Sequence, residues 1–353
     1  MSYIIENHKD YKRKTFLIYD VPSYFGIANG INNRLKKLSA TQYPGFLTNL
    51  DGFGGFDEFL SSNFSKKSRY KFKSYKRTLE RSFDVKYKHI FNSISKEEYN
   101  EIFDDFNKIL TKRFNNKQVT NNNLSSEEWD FYRDVTYQLM LENKASLYII
   151  YNGTSPIAIS LNYFSEDILF FAITTFDIDY YKFNLGTVHL MELYKWCFNN
   201  NIRTFDLSKG YYDYKERWGN MKYSFENHIY FDSQSMTATT IAYSLFYYFQ
   251  LKQYLRNKKF NDHLNKIKYF VKKRDKIENS NTYTSEEIIE DNLSSFEEIN
   301  FNQPEYSYLK KIVFEFVYMK SENINDIRVY NDVKSQNSFI IKGSKSSHLI
   351  SIK

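Results

Sequence analysis

The stretch FDLSKGYYDYKERWGN, residues 205–220, gathers Asp206, Gly210, Tyr211, Tyr212, Tyr214, Lys215, Arg217 and Trp218 within sixteen residues. A carboxylate can take a proton, a phenol can give one, and an ammonium can stabilise developing negative charge. Asp206 closes an apolar-edged strand, and α/β sheets place their chemistry at strand ends. Gly210 lets the chain turn sharply, so that the phenols and Lys215 can point into a cleft. The structural alternative makes Asp206 a buried partner of Arg217 or of turn amides, and Trp218 a packing residue. His189, one turn into a helix, reads as a satisfied core histidine, with a base as its alternative.

Two other groups of residues suit anions. KFNLGTVHL, residues 182–190, places Gly186 and Thr187 at a helix start with Asn184 before them and Lys182 nearby. Unpaired N–H groups and the helix dipole favour a phosphate there. SKKSRYKFKSYKRTLER, residues 65–81, puts Arg69, Lys73 and Arg77 on one helical face at i, i+4 spacing, while Phe72, Tyr75, Leu79 and Phe83 form an apolar stripe. The first suits a pyrophosphate and the second a phosphate-bearing substrate. A strand-to-helix turn and a solvated face are the structural alternatives.

The elements that must carry these residues follow from periodicity. KTFLIYDVP (14–22) is a strand, and 43–60, with four glycines, is loop-rich and leads into a short helix. Residues 66–82 are helical, 84–91 a strand, 95–114 a helix opened by a Ser95–Glu98 capping box, and 125–143 a second helix. Three strands separated by hairpin-like breaks lead to a helix at 186–200, a strand at 202–208, a short helix and a strand at 224–232. The order from 84 to 232 is therefore β-α-α-β-β-β-α-β-α-β, a mixed sheet in an α/β layer domain. Residues 239–276 form an amphipathic helical segment with a basic end, for packing or for a membrane surface. From 280 an acidic loop leads to short alternating runs, among them KIVFEFVYM, that form a small appended β unit.

The chain has 353 residues, a hydrophobic fraction of 42% and an aromatic fraction of 19%, which is not the composition of a disordered chain. Net charge is +7, too small an excess to imply a nucleic-acid protein by itself. The single cysteine, Cys197, excludes a disulfide within the chain and fits a reducing compartment; on an apolar helix it reads as a buried thiol. No signal peptide and no run of about 18 apolar residues is present, so the expected location is cytoplasmic, with peripheral membrane contact left open. No HExxH, Walker loop, GxSxG or cysteine cluster supports a metal, NTPase or serine-hydrolase reading.

The strand–helix order resembles that of GNAT-type N-acyltransferases. KKSRYKFKSYKRTLER, YIIYNGTSPIAISLNYF and FDIDYYKFNLGTVHLMELYKWCFNNNIRTFDLSKGYYDYKERWG resemble the basic helix, the hairpin and the signature of the CelD/BcsL-like subfamily, related to the FemABX transferases. The resemblance covers about residues 60–235; where members often carry Pro before the helix-opening glycine, this chain has Leu185. It implies a GNAT-like mixed β-sheet flanked by helices, with a partial N-terminal companion lobe (1–82), a core (83–236), an amphipathic helical segment (237–278) and a linker plus small C-terminal β extension (279–353).

The implied activity is transfer from acyl-CoA, acetyl-CoA for instance, to an amine, with no metal. The acceptor would be a small molecule, an amino sugar or polysaccharide precursor that is nucleotide- or lipid-linked, and no DNA is involved. Asp206, Tyr211, Tyr214 and Lys215 are the implied catalytic residues: a tyrosine protonates the thiolate and Lys215 stabilises charge. Lys182, Asn184, Gly186 and Thr187 would hold the donor; Arg69, Lys73, Arg77, Arg217 and Trp218 the acceptor. One rival uses aminoacyl-tRNA as donor; another is a non-catalytic GNAT-fold binding protein.

Overall fold

The computed structural model describes residues 11–26, 34–117, 126–258, 283–288, 295–335 and 337–352. In chain order the elements are β1 (Thr15–Pro22), β2 (Leu35–Asn49), α1 (Phe56–Asn63), α2 (Lys66–Ser82), β3 (Val85–Ile90), α3 (Lys96–Lys117) and α4 (Ser126–Leu141). There follow β4 (Ala145–Asn152), β5 (Ser155–Ser165), β6 (Ile168–Phe176), α5 (Leu185–Asn199), β7 (Thr204–Lys209), α6 (Asp213–Trp218), β8 (Met221–Asp232) and α7 (Met236–Asn257). The last are β9 (Tyr283–Ile288), β10 (Phe296–Ile299), α8 (Lys310–Lys320), β11 (Arg328–Asp332), β12 (Ser338–Lys342) and β13 (Ser347–Ile352). The β-α-α-β-β-β-α-β-α-β order and the small C-terminal β extension both hold.

The chain divides into two compact units, Met1–Asn49 with Asp206–Glu278, and Leu50–Phe205 with Asn279–Lys353. In the first, β8 lies between β1 and β2 and pairs antiparallel with both. α7 covers this sheet with Ala238, Ala242 and Phe249, which meet Ala40, Ile229 and Phe231. Two alanines let the helix axis approach the strands closely, and the apolar area so buried stabilises at roughly 25 cal/mol per Å².

In the second unit β3, β4, β5 and β6 form an antiparallel run. α3 and α4 close one face with Tyr99, Phe103, Phe106 and Trp129 against Leu147, Ile149, Ile159 and Leu161. The Ser95 cap is in place, its hydroxyl accepting the Glu98 N–H at 3.1 Å. α5 is packed through stacked rings: Tyr194 lies 5.0 Å from Phe59 and 4.1 Å from Phe205. Such stacked pairs add about 0.5–1.5 kcal/mol to the area buried. Cys197 is fully buried, and burial pushes its thiol up.

Three expectations are corrected. Residues 43–49 are not loop but the end of β2: Pro44 sits at a register shift in the β2–β8 pair, the kind of irregularity at which a sheet tolerates proline. KIVFEFVYM is not a strand but α8, because Ile312, Val313, Phe316 and Val317 recur at i, i+4 and are buried together. The acidic segment expected as loop contains β9 and β10, the two outer strands of the sheet β10-β11-β12-β13-β9. Glutamates on edge strands are the ordinary way to discourage pairing with another chain. The basic end of the long helix, 259–276, lies outside the described residues.

Candidate active site

Asp206 lies within β7 and is fully buried. A carboxylate taken out of water must be hydrogen-bonded, and three donors meet it. Tyr24 donates its hydroxyl at 2.6 Å, Tyr223 reaches both carboxylate oxygens at 2.8 and 2.7 Å, and the Ser208 N–H donates at 2.6 Å. The Tyr24 and Tyr223 rings meet edge to face at 4.8 Å, so each fixes the other. Burial raises the Asp206 pKa, and the two phenols, the Ser208 N–H and the charge of Lys215 oppose that rise. Both phenols are pushed up as well, by burial first and then by the Asp206 charge, so they remain donors.

The turn after Asp206 is built on positive φ. Ser208 has φ 65°, held by its own N–H bond to Asp206, and Gly210 has φ 110°, where a side chain would be strained. The Gly210 N–H then bonds Pro44 O at 3.0 Å. α6 is fastened to β2 at its far end: Thr48 Oγ1 donates to Trp218 O at 2.9 Å and the Asn220 N–H to Leu47 O at 3.0 Å. Trp218 is 2% exposed and serves this packing.

So fixed, Lys215 is only 5% exposed. Its ammonium donates to Lys209 O at 2.6 Å and lies 5.4 Å from the Tyr212 ring centre. Burial lowers its pKa to about 8; Asp206 opposes this and Lys209 adds to it. An ammonium poised within about a unit of neutrality, next to a buried carboxylate, is the pattern expected where protons or charge are handled. Tyr211 and Tyr212 are exposed and Tyr214 is half-buried, so all three remain within reach of a ligand. Arg217 is exposed and is not the partner of Asp206.

The residues expected to hold a donor, Lys182, Asn184, Gly186 and Thr187, lie in the second unit. Asp177 caps a 3-10 turn, Ile178–Phe183, and Asn184 with φ 53° redirects the chain into α5. Asn184 O accepts the N–H groups of Thr187 at 2.8 Å and Val188 at 3.2 Å, which leaves those of Leu185 and Gly186 as the donors a helix start presents. Lys182 is not free for an anion: Glu315 on α8 holds it at 2.7 Å and, through that bond, keeps it protonated. Gly186 has a packing neighbour, since a Cβ there would come within 3.2 Å of the Phe176 ring, itself stacked on the Arg113 guanidinium at 4.1 Å.

Gly186→Val should therefore lower donor affinity and, through an ordinary overpacking cost of about 1–3 kcal/mol of stability, the melting temperature. Adding Phe176→Leu should restore the melting temperature and leave affinity low. Calorimetry showing that affinity returns with it would make Gly186 a packing glycine only.

On α2, Arg69 is half-buried, Lys73 stands 3.9 Å from the exposed Asp57, and Arg77 is exposed. An exposed pair of that kind is worth little, so Lys73 can exchange its partner. His189 is buried; its Nε2 meets Ser160 Oγ at 2.8 Å, and burial lowers its pKa to about 3, which keeps it neutral. Sequence reasoning did not single out Tyr24, Tyr223 or Ser208. Only Tyr223 carried a signal, the alternation of β8.

Residues 66–216 match the family described as Acetyltransferase (GNAT) domain. No curated protein matches the sequence. Among solved structures, a conserved protein of unknown function from Bacteroides thetaiotaomicron is 10% identical, with a TM-score of 0.38, over 57% of this chain and 63% of that one. This chain thus spans less than two thirds of that relative. L-PGS from Bacillus licheniformis is 11% identical over 65% and 72%, with a TM-score of 0.40. A crystal structure of FemX is 10% identical over 52% and 61%, also with a TM-score of 0.40. The class is that of a mixed α/β, GNAT-like fold carrying a GNAT acetyltransferase domain match, extended by a small antiparallel sheet.

Proposed function

We propose that the chain is an N-acyltransferase of the CelD/BcsL-like kind, moving an acyl group from acyl-CoA to the amine of an amino sugar or polysaccharide precursor. The observation that supports it is where the matched stretch ends: its last residues hold the buried Asp206 and Lys215. In the transfer the amine nitrogen forms a bond to the thioester carbon, the C–S bond breaks, the amine gives up a proton and the thiolate takes one.

Lys215 stabilises the negative charge that develops on the carbonyl oxygen. Asp206, with its phenols and the Ser208 N–H, holds that ammonium charged and in place. A phenol among Tyr211, Tyr212 and Tyr214 protonates the leaving sulfur. The start of α5 receives the donor's pyrophosphate on the N–H groups of Leu185 and Gly186, and Thr187 adds a hydroxyl. Arg217 and the Arg69, Lys73 and Arg77 face take the phosphates of the acceptor.

The test is thiol release from acetyl-CoA against a panel of amino sugars and their nucleotide-linked forms. Release that requires the amine supports the reading. Replacing Arg69, Lys73 and Arg77 by Gln should raise the acceptor Michaelis constant at low salt and matter less at high salt. Transfer from aminoacyl-tRNA with none from acyl-CoA would replace the donor; binding of neither by folded protein would make this a binding protein.

A further inference from the structure

α7 is apolar on both sides. Its inner face, Ala238, Ala242 and Phe249, is buried against the sheet. Its outer face carries Tyr243, Tyr247, Leu251 and Tyr254 at i, i+4, i+8 and i+11, and three of these stand well out: Tyr247 65%, Leu251 57% and Tyr254 58% exposed. Tyr19 on β1, also exposed at 62%, packs edge-on against the inner-face Phe249 at 5.9 Å. A helix that is hydrophobic all round is ordinarily buried, so the outer row is suited to a cover.

Charge indicates which cover. Residues 252–276 contain ten Lys or Arg and two Asp or Glu by sequence, a net +8 within a chain whose total is +7. The remainder of the protein is therefore slightly acidic, and the positive excess is concentrated at the end of this helix and just beyond. Among the described residues, Lys252 and Lys258 sit over the rings of Tyr248 and Tyr254 at 5.9 and 5.8 Å, where ammonium and phenol share one surface. Tyrosine is enriched at membrane–water boundaries because its ring is apolar and its hydroxyl wet. Lysines beside it are drawn to anionic headgroups. RNA would use the charge and could stack bases on tyrosines, but an exposed leucine set between tyrosines in one row favours a lipid surface.

We propose that the outer face of α7 lies on an anionic phospholipid surface, holding the protein peripherally by the Tyr247, Leu251 and Tyr254 row, with Lys252 and Lys258 at the headgroups. Membrane residence by this route needs no spanning segment; among the described residues no helix is long and apolar enough to cross a membrane.

The experiment pellets the full chain with vesicles of phosphatidylcholine mixed with phosphatidylglycerol and with vesicles of phosphatidylcholine alone. Binding to the anionic vesicles, weakening with salt, is expected. Tyr247→Ser, Leu251→Ser and Tyr254→Ser together should lower the partition about ten-fold or more, with an unchanged melting temperature because these side chains are exposed. Lys252→Gln with Lys258→Gln should lower it by about five-fold or more. No pelleting with anionic vesicles, or pelleting indifferent to both variants, overturns the proposal. Salt-sensitive RNA binding without vesicle binding overturns it in favour of a nucleic acid, and a dimer abolished by the serine variant without vesicle binding overturns it in favour of a second copy.

Discussion

Lys215→Ala should lower turnover at saturating donor by about 100-fold, the usual loss of one preorganised electrostatic donor, with donor affinity nearly unchanged. The sharper expectation concerns pH. A charge-stabilising Lys215 must be protonated, and its pKa is about 8 because burial disfavours the ammonium. Turnover should therefore fall as pH rises through about 8. A rise through the same pH would assign Lys215 as a base and sink the electrostatic role. Asp206→Asn removes the charge that raises the Lys215 pKa, so the break should move to lower pH. Lys215→Ala with full turnover and only a lower melting temperature would make the motif structural.

Stability should move the opposite way. The folded-state pKa lies below the free value of 10.5, so between about pH 8 and 10.5 the unfolded chain binds a proton that the folded chain does not. The cost of burying the ammonium, on the order of 3 kcal/mol, is fully present below that window and is relieved as pH rises across it. A protein in which this lysine were only structural would have little reason to keep a buried charge that a methionine could replace. The stability slope follows from burial alone; a turnover slope of opposite sign, with both slopes lost in Lys215→Ala, would assign the turnover break to Lys215.

Much of this site was legible because it is local. Asp206, Gly210, Lys215 and Trp218 lie within one strand, the turn after it and one short helix, so strand alternation, a glycine and a six-residue amphipathic segment place them. The helix start at Asn184–Thr187 was legible for the same reason. What sets the chemistry of Asp206 was not: Tyr24 is 182 residues away and Tyr223 is 17 residues away on a different strand. Tyrosine is common in this chain, and nothing local distinguishes a phenol that caps a carboxylate from one that packs. Lys182 misled in the same way, since its anion is Glu315 on α8, a helix whose aromatic-rich sequence alternates like a strand. KIVFEFVYM shows the limit physically: nine residues with apolar side chains on most positions satisfy period 2 nearly as well as period 3.6, and burial decides.

Gly45→Ala should destabilise the first unit by about 2–4 kcal/mol, combining an overpacking cost with a strained or lost bond to a buried carboxylate. Gly45 faces Tyr223 across the β2–β8 pair, and a Cβ on it would fall 2.1 Å from the ring's Cζ and 2.5 Å from both Cε atoms. The phenol thus folds flat over bare backbone, which brings its hydroxyl to both oxygens of Asp206. With a methyl group at 45 the ring must leave, and Asp206 keeps Tyr24 and the Ser208 N–H alone. Tyr223→Phe separates the two contributions, because the ring stays and only the hydroxyl goes; its cost should be about 1–3 kcal/mol, near that of one hydrogen bond to a charged group. Urea midpoints for Gly45→Ala, Tyr223→Ala and the pair complete a double-mutant cycle. Once the ring is gone the methyl group has nothing to strike, so the double variant should be less destabilised than the sum by about 1–3 kcal/mol. Additive costs would mean that the ring moves aside freely, and then Gly45 would not be what holds the phenol on Asp206.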